Sequence, residues 1–125
     1  MDREILFRGK RADNGEWIYG NLFIPDNPDK PVEILIGTNS VRISYEVIPE
    51  TVGQYTGLLD KNGTKIFEGD IILWRFTPCV VKWDSDNACY SLYQNGITKV
   101  SGFNADTMKL LEVIGTIYDG DVIYD

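Results

Sequence analysis

The chain has 125 residues, 43% of them hydrophobic and 12% aromatic, a composition that supports one globular core and excludes a disordered chain. Its net charge is −7 and its Lys and Arg are scattered, with one local cluster at Arg8-Gly9-Lys10-Arg11. Direct DNA or RNA binding, which draws on a basic face, is therefore not expected. No apolar run approaches the roughly 20 residues that span a bilayer. Met1-Asp2-Arg3-Glu4 leads into no signal-peptide stretch, so the expectation is a cytoplasmic protein that does not engage membranes.

In chain order, Ile5 and Phe7 open a first strand that reverses at Asn14-Gly15 into Glu16–Ile24. Trp17, Tyr19 and Phe23 fall on one face of this second strand, and Ile18, Leu22 and Ile24 on the other. Asn-Gly between strand patterns predicts a type I′ hairpin turn, in which both central residues take positive φ. Pro25–Pro31 carries three prolines and reads as a loop or arm. Val41, Ile43, Tyr45 and Val47 alternate with Arg42, Ser44 and Glu46, the period-two pattern of a half-buried strand.

Asn62-Gly63 then joins Tyr55–Leu59 to Lys65–Phe67. Ile71–Phe76, almost wholly apolar, predicts a strand covered on both faces, paired through a Thr77-Pro78 turn with Val80–Trp83. Asn95-Gly96 joins Ala88–Gln94 to Ile97–Val100. One short helix is expected over Ala105–Lys109, capped by Asn104. Leu110–Tyr118 forms the last strand, with Gly115 at a bulge or close approach. The sum is a mainly β single domain over 1–125, a small antiparallel barrel or sandwich of roughly nine or ten short strands.

The chemistry is narrow. There is no histidine, so Ser-His-Asp and Cys-His catalysis are unavailable. Cys79 and Cys89 cannot close a four-ligand zinc site and read as core or sheet residues. Glu68-Gly69-Asp70, with Glu50 in the preceding loop, could supply paired carboxylates for acid–base work or a divalent cation. The plainer reading gives Gly69 a tight turn and Asp70 its backbone amides. Asp84-Ser85-Asp86-Asn87 starts like a calcium loop but fails at Ala88 and Cys89, so it reads as a hairpin turn. No metal or cofactor is expected.

Gly53-Gln54-Tyr55-Thr56-Gly57 is followed by strand rather than helix, which disfavours a phosphate loop. Tyr55 is expected in the core or at an interface, while Glu50 and Gln54 could line a small polar pocket. Trp17, Tyr19, Trp74, Phe76, Trp83, Tyr90 and Tyr93 lie on strands whose other faces are also partly apolar. That surplus points to a subunit or partner interface, with a base-stacking platform opposed by the net charge. The binding candidates are Trp17, Gln54, Tyr55 and Trp74.

Three stretches resemble the YopX-like family of phage and prophage proteins. The first is Ile5-Leu6-Phe7-Arg8-Gly9-Lys10 with Gly15-Glu16-Trp17-Ile18-Tyr19-Gly20. The second runs from Ile48-Pro49-Glu50-Thr51-Val52-Gly53-Gln54-Tyr55-Thr56-Gly57-Leu58 through Asp60-Lys61-Asn62-Gly63 to Ile66-Phe67-Glu68-Gly69-Asp70-Ile71-Ile72. The third is Leu111-Glu112-Val113-Ile114-Gly115-Thr116-Ile117-Tyr118, after which Asp119-Gly120-Asp121 departs from the family's pattern. The resemblance implies a mainly β accessory protein in the bacterial host cytoplasm, with no catalytic residue set to carry over. The leading expectation is a non-enzymatic, homo-oligomeric module that binds a host or phage protein. The alternative is a carboxylate- or metal-dependent enzyme using Glu50, Glu68 and Asp70. A third is an acidic anti-host factor that mimics nucleic acid.

Overall fold

Short apolar-polar alternations between turn residues give eleven strands and one short helix in a computed structural model that describes residues 3–37 and 41–119. The chain divides into two units, 1–55 and 56–125. In the first, β1 (Phe7–Lys10), β2 (Trp17–Phe23), β3 (Glu33–Gly37), β4 (Arg42–Glu46) and the start of β5 (Gly53–Leu59) form an antiparallel sheet in the order β4-β3-β2-β1-β5. Ile34, Val47 and Tyr55 are its buried apolar side chains. Gly20 is required here, because a Cβ would sit 2.3 Å from the Leu35 carbonyl oxygen. A short 3-10 turn, Pro49–Thr51, follows β4. It is fixed by the Thr51 hydroxyl, which accepts from the Lys10 N–H and donates to the Ile48 carbonyl.

The second unit continues from β5 to its neighbour β6 (Lys65–Phe67). Then come β7 (Asp70–Trp74), β8 (Thr77–Asp84), β9 (Cys89–Gln94), β10 (Ile97–Ser101), α1 (Ala105–Met108) and β11 (Val113–Thr116), with an antiparallel sheet ordered β10-β9-β8-β7-β11. Its core is Ile66, Ile72, Cys79, Val81, Leu92 and Met108. Asn104 caps α1 by accepting from the Thr107 N–H at 3.0 Å. Both hydrogen-bonded orders end on edge strands, so neither sheet closes into a barrel. Among the described residues no helix is long and apolar enough to cross a membrane.

The three Asn-Gly pairs all turn hairpins, but only Asn95-Gly96 has positive φ at both residues, 51° and 75°. At Asn14-Gly15 and Asn62-Gly63 only the glycine does. There a neighbouring side chain takes the turn amides instead: Asn14 accepts from Glu16, and Asp60 from Asn62 and Thr64.

The expected Thr77-Pro78 turn is corrected. The reversal is at Arg75-Phe76, with φ of 49° and 65°, and Thr77 and Pro78 open β8. The register sets Ile71 against Val80 and Ile72 against Cys79, and burying these apolar pairs fixes which two residues must turn. Pro78 is tolerated because β9 pairs with β8 only from Val80 onward.

β3 was not foreseen, and β4 is less covered than its alternation predicts. Val41 and Ile43 are 68% and 53% exposed, since β4 is an edge. β11 is shorter than the predicted strand, with the expected irregularity between Val113 and Gly115. Gly120 and Asp121 lie outside the described residues.

Asp60 ties the second unit together. Only 4% exposed, its carboxylate accepts from the N–H groups of Asn62, Thr64 and Val113, joining the β5–β6 turn to β11 across 53 residues. Burial pushes its pKa up, but these three donors, with Lys61 nearby, outweigh that and hold it below the ordinary 3.8. The unfolded chain therefore takes up the proton first as pH falls. The stabilisation is full above the unfolded value and is lost as pH drops through the lower folded one. Asp60→Ala should lower stability by about 2–3 kcal/mol at pH 7, with the difference from the parent shrinking below pH 4, as read from urea midpoints across that range.

Candidate functional site

Within Glu68-Gly69-Asp70, Gly69 and Asp70 make structural contacts. Gly69 has φ +88°, donates its N–H to the Val81 carbonyl and accepts from Ile117. A Cβ there would meet Tyr118 Cε2 at 2.9 Å. Asp70, 1% exposed, accepts from the Phe67 N–H at 2.7 Å. Glu50 is exposed on the 3-10 turn. Among the described residues, no group of three or more His, Cys, Asp or Glu side chains could hold a metal ion. Asp84 likewise serves its turn, accepting from Asp86 and from the backbone and side chain of Asn87. The Asn87 contacts hold its carboxyl below the usual range.

Cys79 is buried in the core, with its thiol pKa raised by burial, and Cys89 is half-buried; both are free. Gly53–Gly57 is strand, not loop, and Tyr55 is buried. Gln54 is half-buried opposite Phe7.

The basic cluster meets aromatic faces within the first unit. The Arg8 guanidinium lies 4.4 Å from the Trp17 ring centroid, and Lys10 Nζ lies 5.4 Å from the same ring. The ladder pairs Lys10 with Trp17 and Arg8 with Tyr19, so both cations share the Trp17 side of the sheet. Arg11 lies 4.6 Å from the Tyr45 ring and grips Asp13 with two bonds, 3.0 and 2.7 Å. That pairing raises the Arg11 pKa and lowers that of Asp13. Beside it an open cleft of about 420 Å³ is lined by Arg11, Ala12, Asp13, Ser44, Tyr45 and Glu46.

In the second unit, the β7–β8 hairpin presents a different surface. Trp74 packs on the core and carries the Arg75 guanidinium 4.7 Å from its ring. Beyond them Phe76 is 96% exposed, with φ 65°. The left-handed region is an outlier for a bulky residue, and strain of this kind points to function. Leu73 on the same hairpin is 40% exposed. Elsewhere in the unit, Trp83, 49% exposed, sits edge-on to Tyr90 at 5.0 Å. Of the sequence candidates, Trp17 and Trp74 are half-buried beneath stacked cations, while the Arg75-Phe76 tip is new. Its signal was present: a turn at Thr77-Pro78 would have set Arg75 opposite the core residue Val80.

Fold and surface together define a small two-sheet β protein with aromatic residues held outward. Residues 6–122 match the YopX protein family, and the chain belongs to it. Among solved structures, protein EF1440 from Enterococcus faecalis is similar in fold, with a TM-score of 0.52 at 18% identity over 94% of this chain and 96% of that one. A comparison with curated proteins finds no match.

The structural reading of Glu68-Gly69-Asp70 predicts that Gly69→Ala lowers stability by about 1–3 kcal/mol, from left-handed strain plus the Tyr118 contact. The denaturant midpoint should fall with an unchanged slope.

Proposed function

We propose that this chain is a non-enzymatic protein-binding module, acting as an oligomer on a host or phage protein in the bacterial cytoplasm, with the Arg75-Phe76 tip as its contact. The observation that carries this is Phe76, an aromatic ring 96% exposed on a backbone conformation costly for it. Aromatic and Arg anchors dominate protein–protein hot spots, and here Trp74, Arg75 and Phe76 stand in sequence at one tip. The phage or prophage setting rests on the family resemblance. Asp70 offers the enzyme reading little, since its carboxylate already holds the Phe67 amide.

The test is Phe76→Gly. Glycine relieves the left-handed strain, so stability should hold or rise by up to about 1 kcal/mol. Capture of a stoichiometric partner from nuclease-treated lysate should be lost. Undiminished capture by a folded Phe76→Gly protein would remove the tip from the function.

A further inference from the structure

We propose that two copies of this chain pair through β4, edge to edge and antiparallel, about a two-fold axis at Ile43. This deepens the oligomeric part of the proposed function and is independent of the Phe76 tip.

Sheet edges are liabilities that folds blunt by shortness, bulges or inward charge. Among the described strands, three of the four edges show such devices. β6 has only three residues. β10 breaks register between Thr98 and Val100, and β11 breaks it between Val113 and Gly115. β4 carries charge in Arg42 and Glu46 and is covered at one end by Ala12, but it has no bulge and is not shortened to three residues. Its five residues pair with β3 in unbroken register, from Glu33–Glu46 to Gly37–Arg42, with no proline and no bulge. Its apolar face stays open: Val41 and Ile43 are 68% and 53% exposed, and Ile36, opposite Ile43, is 38% exposed.

The hydrogen-bond parity says what fits this edge. Val47 donates its N–H to the Val32 carbonyl on the β3 side. Bonded and non-bonded pairs alternate along an antiparallel ladder, so Tyr45 and Ile43 also bond inward. Arg42, Ser44 and Glu46 therefore turn their backbone groups outward. The Glu46 carbonyl is already taken by the Ala12 N–H at 3.0 Å, which leaves Arg42 and Ser44 as the open stretch. What satisfies it is another extended backbone, the chemistry of strand addition.

A second β4 uses both open residues when the two-fold axis lies at Ile43. Centring the axis on Ser44 would drive the second copy's Arg42 into the place held by Ala12. Centring it on Ile43 sets Arg42 against the second copy's Ser44, and the reverse, giving four backbone hydrogen bonds. On the apolar face Ile43 then meets Ile43. On the other face Arg42 lies diagonal to the second copy's Glu46, about 7–8 Å away and within reach of a long side chain. The contact is self-complementary, as a two-fold interface must be.

The test is the mass of the full chain by sedimentation equilibrium over rising concentration. The parent should pass from one chain to two. Ser44→Pro removes an outward N–H that the β3–β4 ladder does not use, so it should keep the parent's circular dichroism and stay at one chain throughout. If that variant does not fold, Ile43→Lys, which sets two lysines across the axis, should give the same mass. Arg42→Glu should weaken the dissociation constant by about tenfold, and Arg42→Glu combined with Glu46→Arg should recover it. A parent that stays monomeric into the millimolar range, or a folded Ser44→Pro protein that still dimerises, overturns the pairing. A double variant that fails to recover overturns the Ile43 register. Partner capture is scored separately: its persistence in Phe76→Gly with the dimer intact counts against the tip alone.

Discussion

The register between β7 and β8 is the constraint on which the second unit depends. Ile71 and Ile72 must lie against Val80 and Cys79, and each aliphatic side chain buried is worth about 1.5–3 kcal/mol. Two residues in the left-handed region cost roughly 1–2 kcal/mol each. The burial wins, so the hairpin closes at Arg75-Phe76 although neither residue suits the turn. The core therefore dictates where the tip falls, and Phe76 is outside because Ile72 is inside. What the core does not dictate is that the tip be aromatic, since Asn-Gly would satisfy the same turn without strain.

Three of the aspartates have a comparable local explanation. Asp60, Asp70 and Asp84 each accept backbone amides at a turn or strand entry, and Asn14, Asn27 and Asn104 do the same as neutral groups. In a chain of many short strands, turns leave amides that the ladders do not use, and short polar side chains are what can reach them. Three of the 19 Asp and Glu carboxylates are thus tied to turn geometry. The lowered pKa of Asp60 follows from these backbone bonds, and that of Asp84 first from the Asn87 side chain and then from its turn amides.

How much of this was legible in the sequence follows from the range of each interaction. Asn95-Gly96, the Asn104 cap and the Gly115 irregularity rest on contacts a few residues long, and the chain displays them openly. The Glu68-Gly69-Asp70 turn was equally local. Arg75-Phe76 was hidden because Pro78 is a stronger local turn signal than anything in Arg-Phe; only the cross-strand partner of Val80 decides between them. β3 was missed since Glu33–Gly37 is short and follows the proline-rich segment. The exposure of Val41 and Ile43 depends on β4 being last in its sheet, a fact of topology that no alternation pattern encodes.

The segment after β1 gives the β4 edge its particular form. Arg11 is held twice, by the Tyr45 ring and by Asp13, and this fixes Ala12 where its N–H meets the Glu46 carbonyl. Without that contact the outer edge of β4 would be open along its whole length and could accept strands in several registers, the usual route to aggregation. With it, the edge offers one short stretch, Arg42 to Ser44, which the proposed pairing at Ile43 would use in full. Arg11 thus acts less as a surface for anions than as a stop that limits how far a strand could add to this edge.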